Sequence, residues 1–412
     1  RVMQCERTGK STSEKIKSQS RKRQIRERIR YVLNCMFRYS QHLLEWLPCK
    51  NNRICFITLT RKGYVDNMGC IAQALTERRC GVEIVWITKY PETCNAATDS
   101  GIRVVLYHTL RHFYLQFTAG IIISDDSLYH GLIRRKKQIY LNVWHGGINY
   151  KQLGREGVSF EDPLMEKIFV LKNPCPDYMV AGSRFFEENI KAAFGFDRTV
   201  FLECGLPRND VLFRNPLLRG KAKKFYGIEH KNVILYAPTF RAKNDSRVID
   251  GIDFDELAEA AQKRYGGEWV VLYRAHYFVQ DTAVYGRNVI DVSGYGEMQE
   301  ILIDADLLIS DYSSCMWDFS FLYRPIVVYA PDERDYCERD RGLTKAGKRM
   351  PYPKAGSMGE LTRIIGEHDF SSDVRKIKEH HKEMGAFETG DAIKYVTDFI
   401  ILKTSGDEGE HV

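Results

Sequence analysis

Short apolar runs, many of them β-branched, alternate with stretches of helical periodicity, and this happens twice along the chain. In the first half the runs fall at residues 54–59, 82–87, 104–107, 120–124, 138–143, 178–180 and 200–203. In the second half they fall at 232–237, 269–273, 307–309 and 326–329, with a shorter run ending at Asp291. Runs that are apolar on both faces suit strands covered by helices on both sides, which is the pattern of a doubly wound parallel sheet. A chain of 412 residues can hold two such domains, each with its own core. The expected fold class is therefore α/β, and the first domain should give way to the second between Asn215 and Lys231, through the basic segment 219–224.

Residues 306–330 show the unit most fully. The apolar run Leu307, Leu308 and Ile309 leads into polar residues 310–314, then into an aromatic-rich helical stretch that stops before Pro325, and then into a second apolar run. Ser313 or Ser314 can cap that helix. The helix opens at the carboxyl end of a strand, the edge where such sheets bind ligands, and its free N–H groups suit a phosphate. Serine hydroxyls there can add donors, while Asp311 and Asp318 can accept from sugar hydroxyls or position a basic partner.

Other strand ends carry the same kind of chemistry. The run 139–143 continues into Trp144, His145, Gly146 and Gly147, then Tyr150, Lys151, Gln152, Leu153 and Gly154. Glycines let backbone approach a ligand, and a histidine at a strand's carboxyl end can exchange protons near neutral pH. After the run 200–203 comes the segment 205–210, GLPRND, in which Arg208 follows a Gly-Pro turn and can grip a phosphate. Pro238, Thr239, Phe240 and Arg241 follow the run 232–237, and Arg274, Ala275 and His276 follow 269–273. Asp66 and Asn67, shortly after Gly63, suit either helix capping or a place in the site.

These strings, in this order, resemble the CDP-glycerol glycerophosphotransferase family of teichoic-acid and capsule synthesis. The matching motifs are WHG at 144–146, GxPRND at 205–210, APTFR at 237–241, RxH at 274–276, DYSS at 311–314 with the later Asp318, and an acidic-glycine turn at 388–391 before a last helix. They span about 53–401, most of the chain. Three departures stand out. Gly147 and Ile148 replace the usual Thr and Pro, and KxLG is reached one residue later than in the family. The family's lysine after the closing Asp-Gly is also absent.

The resemblance implies two Rossmann-like domains facing a cleft, of glycosyltransferase B (GT-B) type. The segments would be 1–47, a basic lead and amphipathic helix; 48–220, an acceptor-side domain; 221–390, a nucleotide-donor domain; and 391–412, a C-terminal helix and acidic tail. It implies transfer of glycerol phosphate, or a related polyol or sugar phosphate, from a CDP-linked donor to a hydroxyl of a lipid-linked or growing polymer, with release of CMP. The alternative on the same fold is transfer of a sugar from a nucleotide-sugar. His145 is the implied catalytic base, and His276 is placed beside it in the reaction. Trp144, Gly146, Gly147, Arg208, Pro238, Thr239, Arg274, Ser313, Ser314 and Asp318 are implied on the donor side, with Asp311 and Arg241 as further candidates. The resemblance requires no cofactor and leaves Mg2+ dependence open, and the sequence has no acidic cluster that calls for a metal.

Charge narrows the partners. The chain carries 61 Lys+Arg against 54 Asp+Glu, a net +7, which favours anionic partners without calling for nucleic acid. The 11 cysteines are odd in number and include no CxxC pair, which argues against zinc and a disulfide framework and fits a reducing cytoplasm. No apolar run approaches the roughly 18–20 residues that span a bilayer. Residues 14–30 carry eight basic side chains against two acidic ones, and Ile25, Ile29, Leu33, Met36, Leu43 and Leu47 recur at helical spacing. Such a helix can lie on an anionic membrane surface, each basic residue contributing about 1 kcal/mol, and its 43–47 end also suits packing on the first domain. The expected location is the cytoplasm, peripheral on the inner face of a bacterial membrane. The charged stretch 333–352 has the length of a functional lid.

Overall fold

The computed structural model describes residues 25–26, 28–126, 134–157, 163–214, 219–239, 241, 251–275, 284–339 and 342–405. Their strands form two sheets. The first contains β1 (Lys50–Thr58), β2 (Glu83–Thr88), β3 (Arg103–Leu106), β4 (Ala119–Ser124), β5 (Ile139–Asn142), β6 (Tyr178–Ala181) and β7 (Val200–Glu203), in the order β3-β2-β1-β4-β5-β6-β7. The second contains β8 (Asn232–Tyr236), β9 (Trp269–Tyr273), β10 (Val289–Asp291), β11 (Leu307–Ser310), β12 (Ile326–Tyr329) and β13 (Lys354–Ala355), in the order β10-β9-β8-β11-β12-β13. All neighbouring strands run parallel.

The α/β class expected from the alternating runs is what the chain adopts. β4, β9 and β12 are buried along their whole length, and each large aliphatic side chain taken out of water contributes about 1.5–3 kcal/mol. In the first sheet Ile54 pairs in register with Ile121 and Phe56 with Ile123. Their layer meets Met68, Ile71 and Leu75 of the helix Asp66–Glu77. In each sheet the strand order reverses once, between β1 and β4 and between β8 and β11. A crevice forms at the carboxyl ends of strands at such a reversal, and ligands of doubly wound sheets bind there.

Three features of the sequence reading change. Leu43 and Trp46 are each 78% exposed, so these apolar side chains do not pack on the first domain. That end is held through its backbone, the Glu45 and Leu47 carbonyls each accepting from Arg135 Nη2 at 2.7 Å, while the Phe37 ring lies 5.6 Å from Phe113. Residues 14–24 lie outside the described residues.

The stretch 333–352 is the second change. It contains the helices Glu333–Arg339 and Lys345–Lys348, and its middle is docked on the loop that follows β5. Gln152 N–H donates to the Gly342 carbonyl (2.8 Å), Thr344 Oγ1 donates to the Asn149 carbonyl (2.7 Å), and Lys151 pairs with Leu343 in an antiparallel bridge. A Cβ on Gly347 would lie 2.1 Å from the Tyr150 carbonyl, so only glycine allows the two backbones to come this close. Ile148 and Tyr150 are accordingly buried in the core of the second sheet.

The third change is the chain's return. Phe387 N–H donates to the Gly182 carbonyl (3.0 Å), and the helix Ala392–Ser405 packs Ala392, Val396 and Ile400 into the core of the first sheet. The Asp210 carboxylate accepts the N–H groups of Ala392 (2.9 Å) and Ile393 (2.8 Å) at the start of that helix.

Candidate active site

The carboxyl ends of strands from both sheets open onto one cleft of about 460 Å³. From the first sheet come Arg61 and Asp66 after β1, Asp126 after β4 and residues 144–146 and 148–151 after β5. From the second come Pro238 and Thr239 after β8, Arg274 after β9 and residues 312–315 after β11.

His145 owes its place to a turn that two asparagines hold. Trp144 has a left-handed backbone, φ +43°, a conformation bulky residues avoid unless their surroundings enforce it. Its N–H donates to Asn142 Oδ1 (2.8 Å), and its carbonyl accepts from Asn67 Nδ2 (2.9 Å). The Trp144 indole then stacks on the His145 ring at 4.7 Å. His145 Nδ1 lies 3.1 Å from the Asp125 backbone carbonyl. A carbonyl only accepts, so Nδ1 carries the proton and the lone pair is on Nε2. Burial pushes the imidazole below its ordinary pKa, and Arg61 adds to the effect. A histidine so placed is neutral at pH 7 and able to accept a proton.

Asn67 also accepts the Arg208 N–H on its Oδ1 (3.0 Å), which ties the WHG turn to the GLPRND turn. Val65 is the N-cap residue of the helix Asp66–Glu77, and Asp66 Oδ1 accepts the Asn67 N–H in its first turn (2.7 Å).

Arg208 is spent on carboxylates. Its Nη1 donates to both oxygens of Asp66 (3.2 and 3.1 Å), and its Nη2 donates to Asp318 Oδ2 (2.6 Å). Asn209 Nδ2 donates to Asp318 Oδ1 and to Glu388 Oε1, both at 3.0 Å. Asp66 also pairs with Arg61, whose Nε lies 3.3 Å from Asp125 Oδ2. Burial would raise the Asp66 pKa, but Arg208 and Arg61 outweigh it and hold the carboxyl at about 2. Burial lifts Asp125 to about 7 and Glu388 well above the usual carboxylate range. A continuous buried network thus joins the C-terminal return, the helix after β11 and the histidine after β5. Asp66, Arg208 and Asp318 all border the cleft, and there Arg208 holds the two carboxylates.

Asp311 and Arg241 are held in a similar way and do not line the cleft. Asp311 accepts the N–H and hydroxyl of Thr239, and its Oδ2 lies 2.8 Å from Arg241 Nη1. Arg241 also forks onto Asp332 (2.8 and 3.0 Å) and lies 4.5 Å from the Tyr336 ring centroid. Gly147 is likewise turned away from the cleft. A Cβ there would lie 2.6 Å from Trp317 Nε1 and 3.3 Å from Glu388 Oε1, which explains why this chain has glycine where the resembled pattern has threonine.

Two groups keep their polar atoms for the cleft. Arg274 Nη1 donates to the carbonyls of Val292 (3.3 Å) and Tyr295 (2.8 Å), and it pairs with no carboxylate among the described residues. Ser314 occupies the N-cap position of the helix Cys315–Ser320 without a side-chain capping bond. Its neighbour Ser313 accepts the Cys315 N–H (3.3 Å). That helix is six residues long, so its dipole is small and the hydroxyls are the stronger feature. Pro238, Thr239, Trp144 and Gly146 also line the cleft. His276 lies outside the described residues.

The sequence reading gave Arg61, Asp125 and Glu388 no place in the site. Asp125 was detectable as an acidic residue just past an apolar run and Glu388 as the start of the matched turn at 388–391, but nothing local marks Arg61.

Residues 38–402 match the family model described as CDP-Glycerol:Poly(glycerophosphate) glycerophosphotransferase. The chain belongs to that family. A teichoic acid poly(glycerol phosphate) polymerase of Staphylococcus epidermidis is 26% identical over 92% of this chain, and the chain spans 55% of that relative's length. A polymerase of the same name from Bacillus spizizenii is 25% identical, with 87% of this chain and 94% of the relative covered. The teichoic acid glycerol-phosphate primase of Bacillus subtilis is 31% identical over 71% of this chain and 76% of its own. Among solved structures, the wall teichoic acid polymerase TagF superposes with a TM-score of 0.77 at 25% identity, covering 94% of this chain and 99% of that one.

Proposed function

From membership of that family and the make-up of the cleft, we propose that the chain transfers glycerol phosphate from CDP-glycerol to a hydroxyl of a growing cell-surface polymer and releases CMP. The observation that carries this reading is His145, whose Nδ1 proton is tied to a backbone carbonyl and whose ring borders a cleft that also holds Arg274 and Ser314. Nε2 takes the proton of the acceptor hydroxyl. The oxygen attacks the phosphorus that carries glycerol, and the P–O bond to the departing CMP breaks. Positioning and charge stabilisation do most of the work in such a transfer. Arg274 and Ser314 supply donors to the diphosphate, and His276, two residues beyond Arg274, is assigned to the same centre on its sequence motif. Arg208 acts by holding Asp66 and Asp318. The two sheets are read as a GT-B pair, acceptor side first and nucleotide side second.

Incubating the full chain with a glycerol phosphate oligomer as acceptor and CDP-glycerol, CDP-ribitol or a CDP-linked sugar as donor, with mass detection of both products, should yield CMP and an acceptor lengthened by one polyol phosphate. Release of CDP would identify a sugar transfer instead and overturn the proposal. In the same preparation Arg274→Ala and Ser314→Ala should each weaken CDP-glycerol binding about tenfold or more, the usual loss for a hydrogen bond to a charged group. Unchanged binding by calorimetry would remove both from the donor site.

The acceptor is proposed to be lipid-linked and the protein peripheral on the anionic, cytoplasmic face of the membrane. Ile29, Val32, Leu33 and Met36 are all exposed on the N-terminal helix, alongside Arg28 and Arg30, and Leu43 and Trp46 extend the apolar face. No helix among the described residues is long and apolar enough to cross a membrane. Deleting residues 1–30 should leave donor binding intact and reduce sedimentation with anionic vesicles. In the intact chain that sedimentation should weaken with salt, because exposed charges are screened beyond about 8–10 Å. Equal sedimentation of the two proteins would rule the surface out.

A further inference from the structure

The loop after β5 is where this chain departs from the pattern it otherwise follows, reaching Lys151 one residue late, and Asn149 lies in that extra length. Its side chain is 6% exposed and borders the cleft, yet its Nδ2 is buried with no hydrogen-bond partner. The flanking residues fix it in that position. Ile148 and Tyr150 are buried in the core of the second sheet, and the Asn149 carbonyl accepts from Thr344 Oγ1 at 2.7 Å. The loop also passes directly over Ser314, since a Cβ on Gly146 would lie 3.1 Å from Ser314 Oγ. A buried amide donor without a partner is costly to keep. Retaining one on a rigid loop at the wall of a ligand cleft makes sense when the ligand supplies the acceptor.

We infer that Asn149 is a donor-substrate residue of this chain, its amide N–H recognising an oxygen of the group being transferred. The inference rests on the transfer reaction proposed above and adds to it a specificity contact that the family motifs do not contain. The transferred group is the part addressed because Asn149 is on the same short loop as His145, which must lie beside the reacting phosphorus. Pro238, Thr239 and Arg274 approach the cleft from the other sheet, on the nucleotide side.

The test is Asn149→Leu, which keeps the branched heavy-atom skeleton and is unable to donate. Its KM for CDP-glycerol should rise about ten- to hundredfold with kcat changed much less, and calorimetry should find CDP-glycerol binding weakened while CMP, which lacks the transferred group, binds as before. Its thermal midpoint should equal or exceed that of the wild type, because an apolar side chain removes the cost of the buried donor. Asn149→Asp, which offers only acceptors, should bind CDP-glycerol at least as poorly, and Asn149→Ser should recover part of the loss. Undiminished CDP-glycerol affinity in Asn149→Leu, equal losses for CMP and CDP-glycerol, or a lowered thermal midpoint would each overturn the assignment. A wild-type chain that bound no CDP-glycerol would remove the transfer reaction and this contact together, whereas wild-type binding with an unaffected variant removes the contact alone.

Discussion

His145→Ala lowers the rate of transfer about 10²- to 10⁴-fold and leaves CDP-glycerol affinity within a few fold. A general base acts on a proton that moves only in the transition state, so its loss appears in kcat and hardly at all in ground-state binding. The pH profile gives a second readout. Burial and Arg61 hold the imidazole below its ordinary pKa of 6.5, so the wild type keeps its base unprotonated down to a pH below that value. Activity should therefore be level through neutrality and fall as pH drops through the folded-state pKa, placing the acid limb of kcat/KM below pH 6.5. Arg61→Gln removes a nearby positive charge and should move that limb upward. The tautomer itself is insulated from side-chain substitution, because the group that fixes Nδ1 is the Asp125 carbonyl. Undiminished turnover by His145→Ala would take this residue out of the mechanism.

His145 was readable because its signal is local: an apolar run, a histidine and glycines together place an imidazole at a strand's carboxyl edge. The strands were readable for the same reason, with β13 missed because it has only two residues, just after Pro353. What the sequence does not reveal is which carboxylate an arginine will meet. Arg208, on the turn after β7, and Asp318, in the helix after β11, are 110 residues apart in the sequence, and they meet at 2.6 Å. A motif reading makes each a ligand contact, since both occur at strand ends where ligands bind. Asp311 follows the same logic. Its position suggests sugar hydroxyls or a basic partner, and the second is what it holds, with Thr239 and Arg241 on its oxygens. The docking of 342–344 on 149–152 was hidden as well, because backbone-to-backbone contact between distant segments leaves no compositional trace beyond a glycine such as Gly347.

The Arg208 network leads to the second large effect. Arg208→Met should destabilise the ligand-free chain by about 3–5 kcal/mol, because it leaves Asp318 buried without its cation and Asp66 with Arg61 alone. Methionine preserves most of the volume, so the loss reports charge and not a cavity. The wild-type Asp66 pKa is held at about 2 against an ordinary 3.8. A carboxylate with a depressed folded pKa contributes stability that is present above 3.8 and lost as pH falls toward 2. Burial already raises Asp318 in the wild type and raises it further once Arg208 is gone, while Asp66 loses the larger of its two cations, so the variant regains stability as these carboxyls are protonated. The difference in urea midpoint between wild type and variant should therefore be large at pH 7 and shrink as pH is lowered through 5 toward 4. Adding Asp318→Asn to Arg208→Met should recover part of the loss at pH 7, since one buried charge is then removed with its partner. An arginine whose task was to grip the donor's phosphates would behave otherwise. Its removal would weaken CDP-glycerol binding while leaving the urea midpoint of the free chain unchanged at every pH, and that result would return Arg208 to the donor site.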